Sequence, residues 1–371
     1  MPSLTPYTLT FRGGLRVGTR GVNLEEAGLP LPSDTLFAAL VDALRRAGGD
    51  VDVFLNAYAQ DPPFLLSSAF PYAGQVRFFP MPADPTRLFS PAFLAGNGGG
   101  GAPVSLKAIK RIGFLSQRLL ERALNGQRLD AFLFPAGETD EPRPDGGAAL
   151  QGGELWLTVE EIEHLPADMR RPAGKRHALR ALKVWSKDPV PRVTVDRVNQ
   201  ASAIYHSGRI TFGADCGLWF GVSWRRADPA AADLLARALA VLEGDGLGGE
   251  RSSGYGAFHA QAGQSFDLPD AAPGGLAYLL SRYHPRPQDV SGLTSPGAAY
   301  RLTSVGGWLR SPDGPAQRRK RVHLLAEGSL VALPHLPAGD LADVTPDYDN
   351  PAGQLPHRVY RCGLALAASW R

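Results

Sequence analysis

Apolar and polar residues alternate from Tyr7 to Val17, with Tyr7, Leu9 and Phe11 on one face, which predicts a first β-strand. A loop rich in glycine and acid follows. Over Ser33–Ala47 the period becomes helical, and Leu36, Phe37, Leu40, Val41 and Leu44 form one stripe. Ser33 is expected to cap this helix and Asp34 to suit its positive end. Arg45 and Arg46 sit at the negative end, and Gly48 can end the helix in a left-handed conformation.

The stretch 80–153 shows no sustained period. The glycine run Gly98–Gly101 and the turn-rich tract Glu138–Gly153 predict loops or an insertion, with a partly helical piece at Val104–Leu120 between them. Glu154–Val159 reads as a strand, Leu155, Leu157 and Val159 opposing Trp156 and Thr158. Two more strands are predicted at Ala203–Phe212 and Leu218–Trp224. A second helix is expected from Asp228 (N-cap) and Pro229 to Glu243, with Leu234, Leu235, Ala238, Leu239 and Leu242 inward. It runs into GDGLGGERSSGYGAF, residues 244–258. A Pro/Gly-rich link near 267–275 marks a domain boundary. Strand-like runs follow at Ala277–Tyr283, Ala299–Val305, Arg321–Leu325, Ser329–Leu333 and Tyr360–Ala367. This order fits an α+β chain: a split βαββαβ unit over 1–265, interrupted by a long irregular insertion at about 80–200, then a second, degenerate unit over 266–371.

Composition narrows the function. With 44% hydrophobic and 20% charged residues the 371-residue chain is globular, not disordered. No stretch approaches the roughly 18 consecutive apolar residues of a membrane span, and MPSLTPYTLTFRGG is no signal peptide, so the cytoplasm is expected. Cys216 and Cys362 belong to no CxxC pair, which argues against a zinc ribbon or disulfide framework and for buried small hydrophobes. Net charge is only +3, but of 39 basic residues six are lysines, so 33 are arginines. Arginine offers phosphate a planar fork and stacks on bases. A GC-rich genome also enriches arginine, so position must decide. Positive charge concentrates at Arg170, Arg171, Lys175, Arg176, Arg180, Lys183, Lys187, Arg192 and Arg197, opposed there only by Asp188 and Asp196.

The glycine-rich stretch is the most informative. Glycines at 244, 246, 248, 249, 254 and 256 free the backbone for left-handed turns, and successive amides can then cradle an anion, with Arg251, Ser252 and Ser253 adding donors. No GK[ST] follows and the order is helix to strand, so this is not a nucleotide P-loop. The plain alternative is a long αβ connection. Basic and aromatic residues interleave as single-stranded RNA binding requires: Lys183 with Trp185, Arg197 with Tyr205, Arg209 with Phe212, Arg251 with Tyr255. Each of these aromatics fits a core equally well. Lys107, Lys110 and Arg111 fit either an RNA contact or a solvated helix face, and Arg318–Arg321 a solvated loop. Groups for catalysis are sparse: His177 and His206 lack partners at a recognisable spacing, and Glu160–Glu161 and Asp347/Asp349 lack a two-metal set. The residues call for no cofactor or metal.

The loop GLGGERSSGYGAF resembles the glycine-rich loop of the RAMP superfamily of CRISPR proteins. LPSDTLFAALVDAL (31–44) is similar to the first-helix signature of the Csm-type (type III-A) subunit that holds the 5′ end of the guide RNA. VSLKAIKRIGFLS (104–116), VTVDRVNQASAIYHSGRITF (193–212), RRKRVHLLAEGSLV (318–331) and PHRVYRCGLALA (356–367) resemble that family's remaining segments. The resemblance implies tandem ferredoxin-like (RRM-like) domains without nuclease activity. It also implies binding of the repeat-derived 5′ tag of the guide RNA and docking onto a large polymerase-palm-like subunit and a neighbouring backbone RAMP subunit. Carried onto this chain, it points to Gly248, Gly249, Arg251, Ser252, Ser253 and Gly254 of the loop. Lys107, Lys110, Arg111, Arg192, Asp196, Arg197 and Asn199 come next, and the basic–aromatic interleaving adds Tyr255, Lys183 and Arg209. The tract 136–153 departs from the family pattern. The rivals are a guide-processing, metal-independent ribonuclease of the same superfamily using His206 or His177, and the equivalent Cmr-type (III-B) subunit.

Overall fold

The computed structural model describes residues 3–18, 29–96, 106–134, 146–170, 178–195, 202–311, 314–347 and 354–371. Strand β1 (Ser3–Phe11) begins at Ser3 and not at Tyr7, and stops before Val17. Pro6 interrupts the alternation that would announce the early start. It is accommodated because it lies just beyond the ladder to the next strand, where its carbonyl accepts the Gly263 amide.

Helix α1 (Ser33–Arg46) has the expected buried stripe, and Gly48 takes φ +78 beyond its end. Its N-cap, however, is Pro32, without a side-chain cap; Ser33 and Asp34 are buried in the first turn. The pattern does not announce α2 (Val51–Gln60), because only Leu55 and Tyr58 are buried; Asp50 caps it by accepting the Val53 amide. Strands β2 (Phe64–Leu66), β3 (Phe70–Ala73) and β4 (Val76–Pro80) follow.

Of the two tracts read as loops, Gly98–Gly101 and residues 138–145 lie outside the described residues, while the end of the second is ordered as a strand. After α3 (Pro91–Leu94) and α4 (Leu106–Arg111) come β5 (Phe114–Ser116), α5 (Gln117–Leu124) and β6 (Gly147–Leu150), then β7 (Leu155–Thr158). Every residue of β5, β6 and β7 is buried, so both faces of this sheet are covered, and β5 and β6 show no polar side. Short helices α6 (Ala167–Arg170) and α7 (Ala178–Ala181) lead into the long strands β8 (Trp185–Val195) and β9 (Ser202–Phe212). Then come β10 (Cys216–Trp224), α8 (Pro229–Asp245) capped by Asp228, β11 (Phe258–Ala262) and β12 (Phe266–Asp267). The main sheet runs β11-β1-β10-β3-β4-β5-β7-β6, with β2 on β10 and β12 on β1. All neighbours are antiparallel except β5 and β7. Helices α1 and α8 pack together beside it.

From β13 (Leu276–Leu279) onward, apart from a 3-10 helix at Pro287–Thr294, the regular elements are short strands: β14 (Leu302–Val305), β15 (Trp308–Ser311), β16 (Gly314–Arg318), β17 (Val322–Leu325), β18 (Leu330–Ala332), β19 (Leu341–Asp343), β20 (Tyr360–Cys362) and β21 (Ala367–Ser369). β13 lies between β18 and β21 and alternates strictly. Ala277 and Leu279 face a small second core, while Tyr278 and Leu280 enter the core of the main sheet.

A buried ionic joint ties this part to α1. Asp34, fully buried, pairs with Arg361 (3.2 Å) and Arg282 (3.6 Å). Arg282 also faces Glu327 (3.6 Å), which accepts the Ser68 hydroxyl; Ser68 Oγ accepts the Ser33 amide (2.8 Å), and Ser33 Oγ accepts the Arg282 amide (2.9 Å). Two carboxylates and two guanidiniums thus balance away from water, as buried charges must. Nearby, Arg319 is pushed down to about 10, chiefly by burial and then by Arg361. Three segments that carry the family resemblance, around Asp34, Glu327 and Arg361, meet at this joint. Among the described residues no helix is long and apolar enough to cross a membrane.

Candidate nucleic-acid interface

Segment 12–16, just after β1, is gripped from two sides. On one side β8 and β9 form a two-stranded ribbon in register from Trp185↔Phe212 to Val195↔Ser202. Leu15 and Ile210 exchange both amide hydrogen bonds at 2.8 Å, and the aliphatic stem of Arg209 lies across Gly14, where a Cβ would come within 2.4 Å. On the other side the glycine-rich loop docks. The Gly249 amide donates to the Arg16 carbonyl and the Gly256 amide to the Gly14 carbonyl, both at 2.8 Å, and Arg16 pairs with Glu250 at 2.9 Å.

The loop is therefore built, not floppy. Gly248 (φ +84) has no room for a side chain, because a Cβ would lie 2.3 Å from the Arg16 carbonyl oxygen. Gly254 (φ +80) is needed only for its backbone angle, since nothing stands near it. Glu250 itself is left-handed at φ +60. The expected anion cradle is narrower than the glycine spacing suggests. The amides of Gly249, Ser253, Gly254, Tyr255 and Gly256 are consumed by internal carbonyls, whereas those of Glu250, Arg251 and Ser252 donate to nothing among the described residues. Arg251, Ser252, Ser253 and Gly254 are exposed. Tyr255 corrects the stacking expectation: it is buried, and the Arg192 guanidinium lies 5.5 Å from its ring centroid.

Ribbon pairing brings Asp188 opposite Arg209, Val190 opposite Ser207 and Arg192 opposite Tyr205, all on one face. Three donors there are shielded from solvent and donate to nothing among the described residues: Arg192 Nε, Ser207 Oγ and Arg209 Nε. Buried donors without acceptors are rare and are a natural place for a ligand's oxygens. Asp188 stands 3.9 Å from Arg209 and leaves its charge only partly countered.

Two of the other aromatics offer no stacking face, while Tyr205 is half-buried opposite Arg192. Trp185 is core, and Phe212 stacks on Phe11 at 5.3 Å. Lys183 is exposed at the ribbon base. Lys110 and Arg111 are on α4, Lys110 exposed, and Lys107 lies on the same helix with its side chain outside the described residues. Glu154 lies close to both Arg111 and Lys187, so α4 reaches the ribbon base; burial, the larger cause, raises its carboxyl above the usual range against those two cations. Lys175, Arg176, His177, Asp196, Arg197 and Asn199 lie outside the described residues.

His206 lies on the opposite face from Tyr205, as alternation predicts, among Pro189, Pro191, Val193 and Ile204. Burial, the main cause in each case, pushes the Cys216 and Cys362 thiols up to about 12, which suits packing and not nucleophilic chemistry. The sequence pattern did not point to Ser207, Glu250, Arg16 or Gly14. Glu250 carried a signal, an acid in the middle of a stretch read as an anion cradle.

Residues 273–370 match the family of CRISPR Csm4 C-terminal domains. Over its length the chain is 26% identical to the CRISPR system Cms protein Csm4 of Thermococcus onnurineus (strain NA1), covering 90% of this chain and 89% of that one. It is 25% identical to the protein of the same description from Mycobacterium tuberculosis (strain ATCC 25618 / H37Rv), covering 93% of each. The resemblance is to Csm4, from end to end. Two solved structures share the fold: a chain of the Csm3–Csm4 subcomplex of the type III-A CRISPR-Cas interference complex (TM-score 0.62, 17% identity, 99% of each chain) and a chain of a Csm1–Csm4 cassette in complex with pppApA (TM-score 0.55, 20% identity, 100% of this chain and 98% of that). The Csm4-like C-terminal match contains three of the four members of the ionic joint, Arg282, Glu327 and Arg361, all but Asp34.

Proposed function

We propose that this chain is the Csm4-type subunit of a type III-A interference complex, holding the 5′ tag of the guide RNA in the cytoplasm and doing no chemistry itself. The carrying observation is the set of three unsatisfied donors, Arg192 Nε, Ser207 Oγ and Arg209 Nε, on one ribbon face, together with the open amides of residues 250–252 in the loop whose Tyr255 meets Arg192. Such a set suits phosphate oxygens and carries no base information. Its relatives' structures are complexes with Csm3 and Csm1, so the partners here are a Csm3-like backbone subunit and a Csm1-like large subunit. The relatives' naming favours Csm over the Cmr-type subunit. The unit β1-α1-β3-β10-α8-β11, with sheet order β11-β1-β10-β3, fits the ferredoxin-like βαββαβ plan, and the strand-rich remainder fits a degenerate second copy.

Arg192→Gln with Arg209→Gln keeps the stem over Gly14 and removes both charges. Each phosphate that is no longer neutralised should flatten the slope of log K against log salt by about 0.7 for a single strand. Titrating labelled tag RNA at several salt concentrations reads this directly; an unaltered slope and affinity would return both arginines to a packing role.

The ribonuclease alternative rests on His206. Cleavage needs an acid or base at the 2′-hydroxyl together with donors for the developing charge. His206 lies across from Pro191, on the ribbon face turned away from Arg192, Ser207 and Arg209. His206→Ala should leave guide length unchanged in the assembled complex and target cleavage by the other subunits within a few-fold of wild type. Accumulation of guide precursor, cured by the wild-type chain, would make this subunit an enzyme.

A further inference from the structure

The run Arg318–Arg321 reads in sequence as a solvated loop, yet its members have four different surroundings. Strands β14 and β17 pair, and beyond a turn at Gly306–Gly307 the same two arms continue as β15 and β16. Arg319 points inward: its Nε and Nη2 donate to the Gly306 carbonyl at 2.9 and 2.6 Å, which pins the bend between the two halves. Gly307 takes φ +109 there. Lys320 pairs with Asp347, and Arg321 is exposed. Arg318 sits directly across from Trp308, its guanidinium 5.5 Å from the indole centroid. Trp308 is nevertheless 63% exposed.

A large indole on an outer hairpin normally packs away from water. Here it is presented on a bend held by Arg319, with a cation over part of its π-surface and most of the ring open. Exposed Tyr300, Leu302 and His323 belong to the same hairpin arms or lead into them. The combination of an open aromatic face, a cation beside it and further basic residues within one hairpin is the chemistry of a stacking platform for an unpaired base, with phosphates nearby. A protein partner is less well matched, because the group against the ring is the Arg318 guanidinium and the cations that follow it, Lys320 and Arg321, are exposed.

The geometry points to Trp308 and Arg318 as a second contact for single-stranded nucleic acid, one base stacking on the indole and its backbone meeting Arg318 and Arg321. It lies in the C-terminal part and shares no residue with the glycine loop or the β8–β9 ribbon. It does not depend on the tag-binding reading.

The test uses the full chain and fluorescein-labelled 12-nucleotide oligoadenylate and oligouridylate carrying no tag sequence, followed by anisotropy. A matching oligomer with abasic sites serves as control, and both RNA and DNA versions separate the possible strands. Trp308→Ala should weaken binding of base-bearing oligomers about tenfold, as expected when one base can no longer stack. Trp308→Phe should retain most of it, and Trp308→Ala should not alter binding of the abasic oligomer. Arg318→Ala should weaken both kinds. Unchanged circular dichroism is expected, because the ring is outside the core. Wild-type affinity in Trp308→Ala, equal weakening on the abasic oligomer, or intact nucleic-acid binding with loss of a copurifying Csm1- or Csm3-like subunit would each overturn the proposal. Gly248→Ala in parallel reports on the glycine loop alone, so the two readings can fail separately.

Discussion

Asp34→Ala is expected to lower the unfolding free energy by about 3–5 kcal/mol, the range seen when one partner of a buried ion pair is removed. The loss is not that of a hydrogen bond. Arg361 and Arg282 would remain in a site closed to water, with only Glu327 to balance them. Burial already disfavours the charged form of Arg361, and Asp34 is what opposes that shift. The midpoint of urea unfolding should fall while the m-value stays constant. Adding Arg361→Met should recover a large part of the loss, since an apolar replacement leaves fewer uncompensated charges. A change under about 1 kcal/mol for Asp34→Ala would mean that water reaches the joint.

Gly248→Ala should release guide RNA from the assembled complex, while Gly254→Ala should keep it. Both glycines have positive φ, so both substitutions incur about 1 kcal/mol of backbone strain. They differ in what the new methyl meets. At 248 it strikes the Arg16 carbonyl, the same group that receives the Gly249 amide, so the loop must leave segment 12–16. At 254 it meets nothing. If undocking costs about 3 kcal/mol more, retention falls by roughly two powers of ten, because each 1.4 kcal/mol is tenfold. Guide RNA per complex, read from absorbance and gels after identical purification, checks this. Equal retention in the two variants would detach the loop's docking from RNA binding.

Helices α1 and α8, strands β7, β9 and β10 and the glycine-rich turn were legible because each imposes a period or a backbone requirement on its own residues. Strands β2 to β6 were not, because a strand covered on both faces has no polar side to reveal it, and Gly147–Leu150 reads like the turn-rich tract before it. Helix α2 escaped because only two of its side chains are buried. Ser33 looks like a cap in the sequence and serves the joint in space, since its partner Arg282 comes from a distant segment. The interface was half legible for the same reason. Glycines and arginines announce themselves locally, but the register that aligns Arg192, Ser207 and Arg209, and the docking of Glu250 on Arg16, are long-range facts. The run Arg318–Arg321 shows the limit plainly: four neighbouring cations have four surroundings, and nothing in their order tells them apart.

The central position of β1 also has a consequence during synthesis. Its neighbours are β10 and β11, so Tyr7 leaves the ribosome long before Phe220 and Ala262 exist to pair with it. At about 5–20 residues per second the wait is on the order of tens of seconds. Through that interval an apolar strand has both edges bare, a template for pairing with other chains. Asp34 waits longer still, for Arg361. The nascent chain thus carries its first strand and its first helix as unfinished business until residues more than two hundred and more than three hundred positions further on are made, and its yield in a cell should track how well chaperones shield that stretch.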